Sequence, residues 1–374
     1  MCYPCLKKYC YFRAMNKLSI LSLSVCIVLL CASCVSGRGG RQAVETSWGD
    51  CFTNPIRQGG SSPCVVYADG RYYYTQSTYV RVSLWSSETI AGLKDAQEQV
   101  VYTPDEAYYV SGTRLYRFND RWYIYYSSDD GDMSRRSVHV LENVSQNPLE
   151  GEFVHKGTIR TGNQKSFHPS VFEHKGQLYF FWSGSDASKD TEIDVSHIYV
   201  ARMSDPWTLE TAPSAILSPQ YEWECQWMSE NGLVAERPSY VNEAPQAICS
   251  RDSTKVLLYF AASETYTSYY CEGMAVADAD DDLTKAAAWK KLSRPVFGSD
   301  PAVSAYGAGH VSFFNESSSD NTYIVYQAYS DSGIDCLDNR SPRMQKISWD
   351  KDGIPVLSTP VALGVPVPEP IINK

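Results

Sequence analysis

Four residues that can transfer protons or bind a ligand occupy equivalent places in this chain. Each precedes the first residue after a polar turn, by nine positions for the first two and by twelve for the others: Ser62, His168, Glu243 and His310. A carboxylic acid and an imidazole can exchange protons near neutral pH, whereas a hydroxyl group serves mainly in hydrogen bonding. If the fold brings the four together, we expect a ligand pocket.

A repeated pattern predicts the elements that carry these residues. Each copy has a polar turn followed by a strand rich in aromatic residues, and the first three copies end in Ser: 68–77, 118–127, 174–183, 252–263 and 319–328. Two β-rich runs around such a turn form a β-hairpin. Five hairpins with hardly any helical periodicity predict an all-β, five-bladed β-propeller, since a sandwich would have shorter and more regular spacing. The innermost strands of the blades line the central channel, so the four residues should surround one mouth of it.

Charge and composition exclude some partners. The net charge is −10, although the first 34 residues hold four basic residues and no acid. An acidic domain argues against binding to nucleic-acid backbones. The 27 Tyr, 9 Trp and 12 Phe residues suit β-strands and, where exposed, stacking on sugar rings.

The N-terminus resembles an export signal. A basic residue, a short apolar run and small residues before Cys34 predict that residues 1–34 are an export signal. Met15 is an alternative start, which would leave residues 1–14 untranslated. Cys34 would carry a lipid anchor, and this anchor would be the only contact with a membrane. The protein would then lie in the periplasm or at the outer membrane or cell surface of a bacterium. Plain secretion is the alternative. Residues 35–50 then form a linker and residues 51–374 the propeller.

The cysteines do not predict a metal site. Six follow Cys34, and none has the CxxC spacing of a zinc site. An oxidising compartment permits disulfides among them without requiring any.

Stretches along nearly the whole domain resemble glycoside hydrolase family 43, and most closely its exo-acting α-L-arabinofuranosidase branch. They run from about Cys51 to Pro366 and include "SSPCVVYADGRYYYTQST", "FHPSVFEHKGQLYFFWSGSD", "YVNEAPQ", "YGAGHVSFF" and "PRMQKISWDKDGIPV". The resemblance implies a propeller with an axial funnel pocket and inverting hydrolysis of glycans containing arabinose or xylose. The substrate would be an oligosaccharide or polysaccharide. An inverting glycosidase needs one carboxylic acid to protonate the leaving oxygen and a second carboxylate to activate water.

The catalytic positions implied by the resemblance are only partly occupied by acids. The family's proton donor falls on Glu243, its base on Ser62 and its third acid on His168. A Ser hydroxyl does not accept protons near neutral pH, so Ser62 cannot replace a carboxylate base. Four acids could take over, although each is otherwise read as a solvated or structural residue: Asp105, Glu106, Glu222 and Glu224.

Other residues are expected to form the pocket wall. Aromatic rings that could stack on a sugar are Phe167, Trp223, Trp227 and Tyr306, and further substrate contacts are expected from Glu224, His310 and Arg343. The resemblance places His310 where some members hold calcium through water. Gln327 replaces a His that is frequent in the family, which argues against calcium here, so no cofactor is required and no metal ligands are assigned.

Three functions are consistent with these residues. The first is an exo-glycosidase with Glu243 as acid and a displaced or unconventional base. The second is a glycan-binding propeller that keeps the pocket without the chemistry. The third is an enzyme of altered specificity whose substrate supplies part of the missing group. Fold alone cannot decide among them, because function depends on the site.

Overall fold

The computed structural model describes residues 50–105, 108–163, 165–185, 194–228, 234–315, 322–332, 334 and 339–370. These residues belong to one compact unit, Trp48–Lys374. Within them no helix has the length and apolar character needed to cross a membrane. The predicted export segment, Cys34 and the linker up to residue 49 lie outside the described residues, so those domain boundaries remain predictions.

Strands make up almost all of the regular secondary structure in the described chain. The first strand is β1 (Cys51–Thr53), and blade one comprises β2 (Cys64–Ala68), β3 (Arg71–Thr75), β4 (Val82–Ser87) and β5 (Gln99–Tyr102). Blade two comprises β6 (Ser111–Phe118), β7 (Arg121–Ser128), β8 (Ser137–Asn143) and β9 (Val154–Thr158). Blade three comprises β10 (Lys165–His174), β11 (Gln177–Ser185), β12 (Asp194–Asp205), β13 (Thr208–Leu209) and β14 (Ser214–Leu217).

The remaining strands follow the same order. Next come β15 (Cys225–Met228) and blade four with β16 (Val234–Cys249), β17 (Lys255–Ala262), β18 (Cys271–Asp278) and β19 (Lys290–Lys291). Blade five has β20 (Tyr306–Asn315), β21 (Thr322–Tyr329) and β22 (Arg340–Lys346), followed by β23 (Ser348–Trp349), β24 (Pro355–Val356) and β25 (Pro366–Pro368). Within the described residues, five 3-10 helices connect strands, at Ala91–Lys94, Met133–Arg135, Glu222–Glu224, Ala286–Ala288 and Pro301–Val303. The predicted five-bladed β-propeller is confirmed.

The aromatic repeats form the second strand of each blade. In β7 every residue except Arg121 is buried, because the strand lies between neighbours within its sheet and between adjacent blades. Trp122 and Tyr126 belong to the core shared with blade one, whereas Tyr123 and Tyr125 face the core shared with blade three. A strand that is covered on both faces has apolar residues at successive positions, which explains why these repeats do not alternate between apolar and polar residues.

The first strand of each blade has a residue with left-handed backbone at or just before the strand. These residues are Ser62 (φ 55°), Gly112 (φ 63°), His168 (φ 49°), Ala244 (φ 52°) and His310 (φ 55°), and blade five has a second one at Gly307. In blades two to five the residue lies in a β-bulge, where the strand register shifts. A bulge bends its strand and redirects side chains, which suits the rim of a site. In blade four the equivalent residue is Ala244, one position after the Glu243 expected from the spacing.

Side chains of the preceding blade hold these bulges in place. The backbone N–H groups of Gly112, His168 and Ala244 donate to the hydroxyl groups of Ser77 (3.1 Å), Ser127 (3.2 Å) and Ser183 (2.9 Å). These are the serines that end the first three repeats. The first three repeats therefore each supply the acceptor that holds the left-handed residue of the next blade.

Contacts between blades five and one connect the two ends of the blade series. Ser62 N–H donates to Gln327 Oε1 at 2.8 Å, and Ser312 Oγ donates to the carbonyl of Pro63 at 2.8 Å. The buried guanidinium of Arg114 donates to the carbonyls of Pro63 (3.0 Å) and Val311 (3.3 Å). Outside the blades, β1 pairs antiparallel with β25.

Candidate active site

Glu243 lies at the centre of the candidate site, and its side chain is only 14% exposed. Tyr270 donates its hydroxyl to Glu243 Oε1 at 2.8 Å. Burial raises the pKa of Glu243 to about 7, the Tyr270 hydrogen bond lowers it, nearby Glu264 raises it, and the cations Lys165 and Arg340 lower it. A carboxyl group with this pKa is partly protonated at neutral pH, as a general acid requires.

Two imidazoles adjoin Glu243. His168 Nδ1 is 3.6 Å from Glu243 Oε2, and the His168 ring meets the His310 ring edge-on at a centroid distance of 4.7 Å. Burial lowers the pKa of His168 well below its usual value, and the positive charge of Arg136 lowers it further. Burial likewise lowers the pKa of His310. Both imidazoles are therefore neutral at pH 7, so His168 does not offer Glu243 a positive charge.

The blade-one side of the site carries hydroxyl groups in place of a carboxylate. Ser62 is buried, and its hydroxyl accepts a hydrogen bond from Ser77 Oγ at 3.1 Å. Ser77 also binds the N–H of Gly112, where a Cβ atom would lie 2.7 Å from His168 Cδ2. The absence of a side chain at Gly112 therefore leaves room for His168, and short contacts connect Ser62 to the His168 side of the site.

A buried polar cluster holds the residue before Glu243. Lys291 Nζ contacts Glu224 Oε1 at 2.5 Å and Asn242 Oδ1 at 2.7 Å, while Asn242 Nδ2 donates to Glu224 Oε1 at 2.8 Å. Glu224 is fully buried and also accepts from the backbone N–H groups of Gln220 and Tyr221. The expectation that Glu224 contacts substrate or acts as base is therefore corrected: its oxygens are used within the protein.

The expectation that Arg343 contacts substrate is also corrected, because this residue is buried. It has no exposed surface, and its Nη2 donates to the carbonyls of Ser304 (3.1 Å) and Tyr329 (3.2 Å) and to Ser330 Oγ (2.9 Å). These contacts connect loops of blade five. Arg340, three residues earlier, is the arginine whose charge acts on Glu243, His168 and His310.

The expected aromatic wall is divided between two places. Phe167 is buried and meets the His168 ring at a centroid distance of 4.9 Å, so it packs beside the site. Trp223 instead lines a cavity of about 710 Å³ together with Tyr269, Tyr270 and Phe297. Tyr270 connects the two, because its ring lines that cavity and its hydroxyl binds Glu243.

The other proposed residues differ in their surroundings. Tyr306 is half-buried at the start of β20, opposite Tyr329 in the register. Asp105 and Glu222 are exposed, and Glu222 lines the 710 Å³ cavity. Glu106 and the side chain of Trp227 lie outside the described residues.

Sequence reasoning missed three residues close to the site. Tyr270 and Glu264 lie in the 263–270 loop after β17, and Glu272 lies on β18. Glu272 is fully buried and its Oε2 accepts the N–H of Val311 at 3.4 Å; burial raises its pKa well above the usual value. None occupies a blade-start position, so the spacing could not identify them. The "GAGH" and "NEAP" stretches were the only signals nearby.

Comparison with known proteins assigns the chain to a family. The model of the glycosyl hydrolases family 43 matches residues 52–355. An extracellular exo-α-(1→5)-L-arabinofuranosidase of Streptomyces avermitilis is 32% identical over 84% of this chain and 64% of its own length. A protein of the same description from Streptomyces chartreusis is 30% identical over 74% of this chain and 82% of its own length. The chain thus spans less than two thirds of the Streptomyces avermitilis relative.

Solved structures agree with this assignment. The α-L-arabinofuranosidase of Lactobacillus brevis has a TM-score of 0.75 and 26% identity, covering 84% of this chain and 98% of that one. A thermostable family-43 glycoside hydrolase has a TM-score of 0.63 at 20% identity, covering 86% and 98%, and shows the shared fold. With a family match across most of its length and a propeller fold in common, the chain belongs to glycosyl hydrolases family 43.

Proposed function

We propose that this protein removes terminal L-arabinofuranose residues from oligosaccharides or polysaccharides. The observation that carries the proposal is the buried carboxyl group of Glu243, whose pKa of about 7 suits proton donation. The 30–32% identity to two exo-α-(1→5)-L-arabinofuranosidases supports the choice of sugar. Xylose remains the alternative sugar.

In this proposal Glu243 protonates the oxygen that leaves with the rest of the glycan. Water attacks the anomeric carbon from the opposite face, which inverts its configuration. Ser62 hydrogen-bonds this water without removing its proton, so the proton that the water loses passes to a nearby carboxylate or to solvent. Glu264 takes the place of Glu224 in the set of acids to be tested as the base. The charge of Glu264 acts on Glu243, whereas the carboxylate of Glu224 is paired with Lys291.

The absence of an acid at Ser62 favours a second candidate function. A family 43 propeller that has lost its base could bind a glycan in the pocket and leave it intact. Both functions use the same residues around Glu243, so activity and binding must be measured on the same protein.

Glu243→Gln provides the test, because Gln keeps the shape of the side chain and removes its acidic proton. We expect wild type to release arabinose from α-(1→5)-arabino-oligosaccharides and Glu243→Gln to be slower by about a hundredfold or more. Glu173→Gln, at an exposed position of β10, serves as the matched control. Chromatography of the products measures the rate.

Two results would reject the hydrolase. One is equal turnover by wild type and Glu243→Gln. The other is absence of turnover with arabino- and xylo-oligosaccharides while calorimetry detects their binding, which would establish the glycan-binding function.

We also propose that the protein is exported and lipid-anchored through Cys34. The basic, apolar and small-residue pattern before Cys34 supports this, and the two Streptomyces relatives are described as extracellular. We expect wild type in the membrane fraction and Cys34→Ala in the soluble fraction. Equal membrane association of both proteins would exclude the anchor.

A further inference from the structure

Two buried imidazole nitrogens at the site have no hydrogen-bond partner among the described residues. They are His168 Nδ1 and His310 Nε2. A buried polar atom without a partner costs about 1–3 kcal/mol, so such atoms commonly mark a missing water, ion or ligand. Glu243 Oε2, 3.6 Å from His168 Nδ1, completes a group of three ligand atoms.

The spacing of this group suits a single metal ion. One ligand atom from each of His168, Glu243 and His310 lies within 4.8 Å of the other two. Ligands about 2.0–2.1 Å from a tetrahedral zinc ion lie roughly 3.4 Å apart, close to the distance from His168 to Glu243. Small side-chain rotations would bring the third ligand to that distance. Among the residues described, this is the one group that has such spacing.

The donor atoms select the type of metal. Two imidazole nitrogens and one carboxylate oxygen suit zinc and neighbouring divalent transition metals. Calcium takes six to eight oxygen ligands and does not fit this set by direct coordination. The resemblance to family 43 made calcium a candidate near His310, with Gln327 arguing against it, and the imidazole of His168 favours a metal that prefers nitrogen ligands.

We propose that His168, Glu243 and His310 bind one divalent transition-metal ion of the zinc type, with a water molecule as fourth ligand. The positive charges of Arg114, Arg136, Lys165 and Arg340 oppose a cation here. Arg136 is neutralised by Asp129 at 2.7 Å, and Glu243 adds its own negative charge when it loses its proton to bind the ion. The positive charge around the ion is therefore partly neutralised.

Metal binding has a consequence for catalysis that rests on the proposed function. A carboxylate bound to the ion carries no proton, so Glu243 could not protonate a leaving group. The ion would act as an inhibitor of hydrolysis, and removal by a chelator would restore the acid.

Calorimetry with zinc chloride alone tests the site in protein first stripped with a chelator. We expect one ion per chain in wild type and affinity at least about tenfold lower in His168→Asn and in His310→Gln. His174→Ala is the matched control, because His174 Nδ1 lies 3.9 Å from Cys249 Sγ and offers zinc a competing thiol site. Cobalt(II) absorption of wild type gives a readout that does not depend on the folding of any variant.

The results separate the metal site from the hydrolase. No zinc binding by wild type, equal binding by both site variants, or loss of binding in His174→Ala would overturn the metal proposal. Tetrahedral nitrogen-and-oxygen cobalt absorption supports it, whereas thiolate-to-cobalt absorption contradicts it. Binding is measured without substrate, so failure of the hydrolase would leave this test unaffected.

Discussion

The two sides of the candidate pocket differ in how they are built. On the blade-four side, Glu243 receives a hydrogen bond from Tyr270 and follows Asn242, which a buried Lys–Glu pair holds in place. On the blade-one side, Ser62 is bound by a second hydroxyl, that of Ser77. The surroundings of a proton donor are present on one side, and on the other a neutral hydroxyl stands where the family has its base.

The Lys291–Glu224 pair accounts for much of this difference. Both side chains are almost fully buried, at 5% and 0% exposure, so they form a desolvated pair in contact with the chain next to Glu243. Removal of one partner from a buried pair leaves an uncompensated charge. The blade-one side has no comparable charged pair at Ser62 or Ser77, and its hydrogen bonds join neutral groups.

The largest effect is expected from Lys291→Met. Glu224 would then be buried without its cation, and we expect the free energy of unfolding to fall by about 3–5 kcal/mol. Urea denaturation measures this, with the exposed Lys290→Met as control. A loss below about 1 kcal/mol would mean that the buried pair does not hold the blade-four side.

A smaller effect is expected from Tyr270→Phe. The Tyr270 hydroxyl stabilises the charged form of Glu243, so its removal raises the pKa of that carboxyl above about 7. Because the acid works only when protonated, turnover of wild type should fall as pH rises through about 7. In Tyr270→Phe this fall should move to higher pH by about one unit.

The pH dependence of kcat/KM measures the shift. Tyr269→Phe is the matched control because Tyr269 is 61% exposed. An unchanged or lower pH midpoint in Tyr270→Phe would show that another group limits turnover.

Features of the fold that repeat along the sequence could be predicted, and features that do not repeat could not. Turns and aromatic strands repeat, so the five blades and the neighbourhood of His168 and His310 could be anticipated. In blade four the spacing pointed to Glu243, whereas the residue with left-handed backbone is Ala244, one position later. Insertions before the turn change the count, and the count cannot locate a bulge.

Exposure and loop contacts could not be derived from spacing. Glu224 and Arg343 carry charges typical of a substrate site, yet burial and internal partners engage both. Tyr270 lies in a loop between two strands of one blade, where no repeat indicates its direction. Its contact with Glu243 depends on how that loop folds over the site.

The comparison between the two sides is tested most directly by a cycle of wild type, Ser62→Asp, Glu243→Gln and the double variant. Asp tolerates the left-handed backbone of position 62 and adds a carboxylate where the family has its base. We predict that Ser62→Asp raises the rate of arabinose release by about a hundredfold to ten-thousandfold, and that His168→Asp adds to this gain. The double variant should be as slow as Glu243→Gln, because the base needs the acid on the opposite side. No gain in Ser62→Asp, or a gain that persists without Glu243, would contradict the assignment of the two sides.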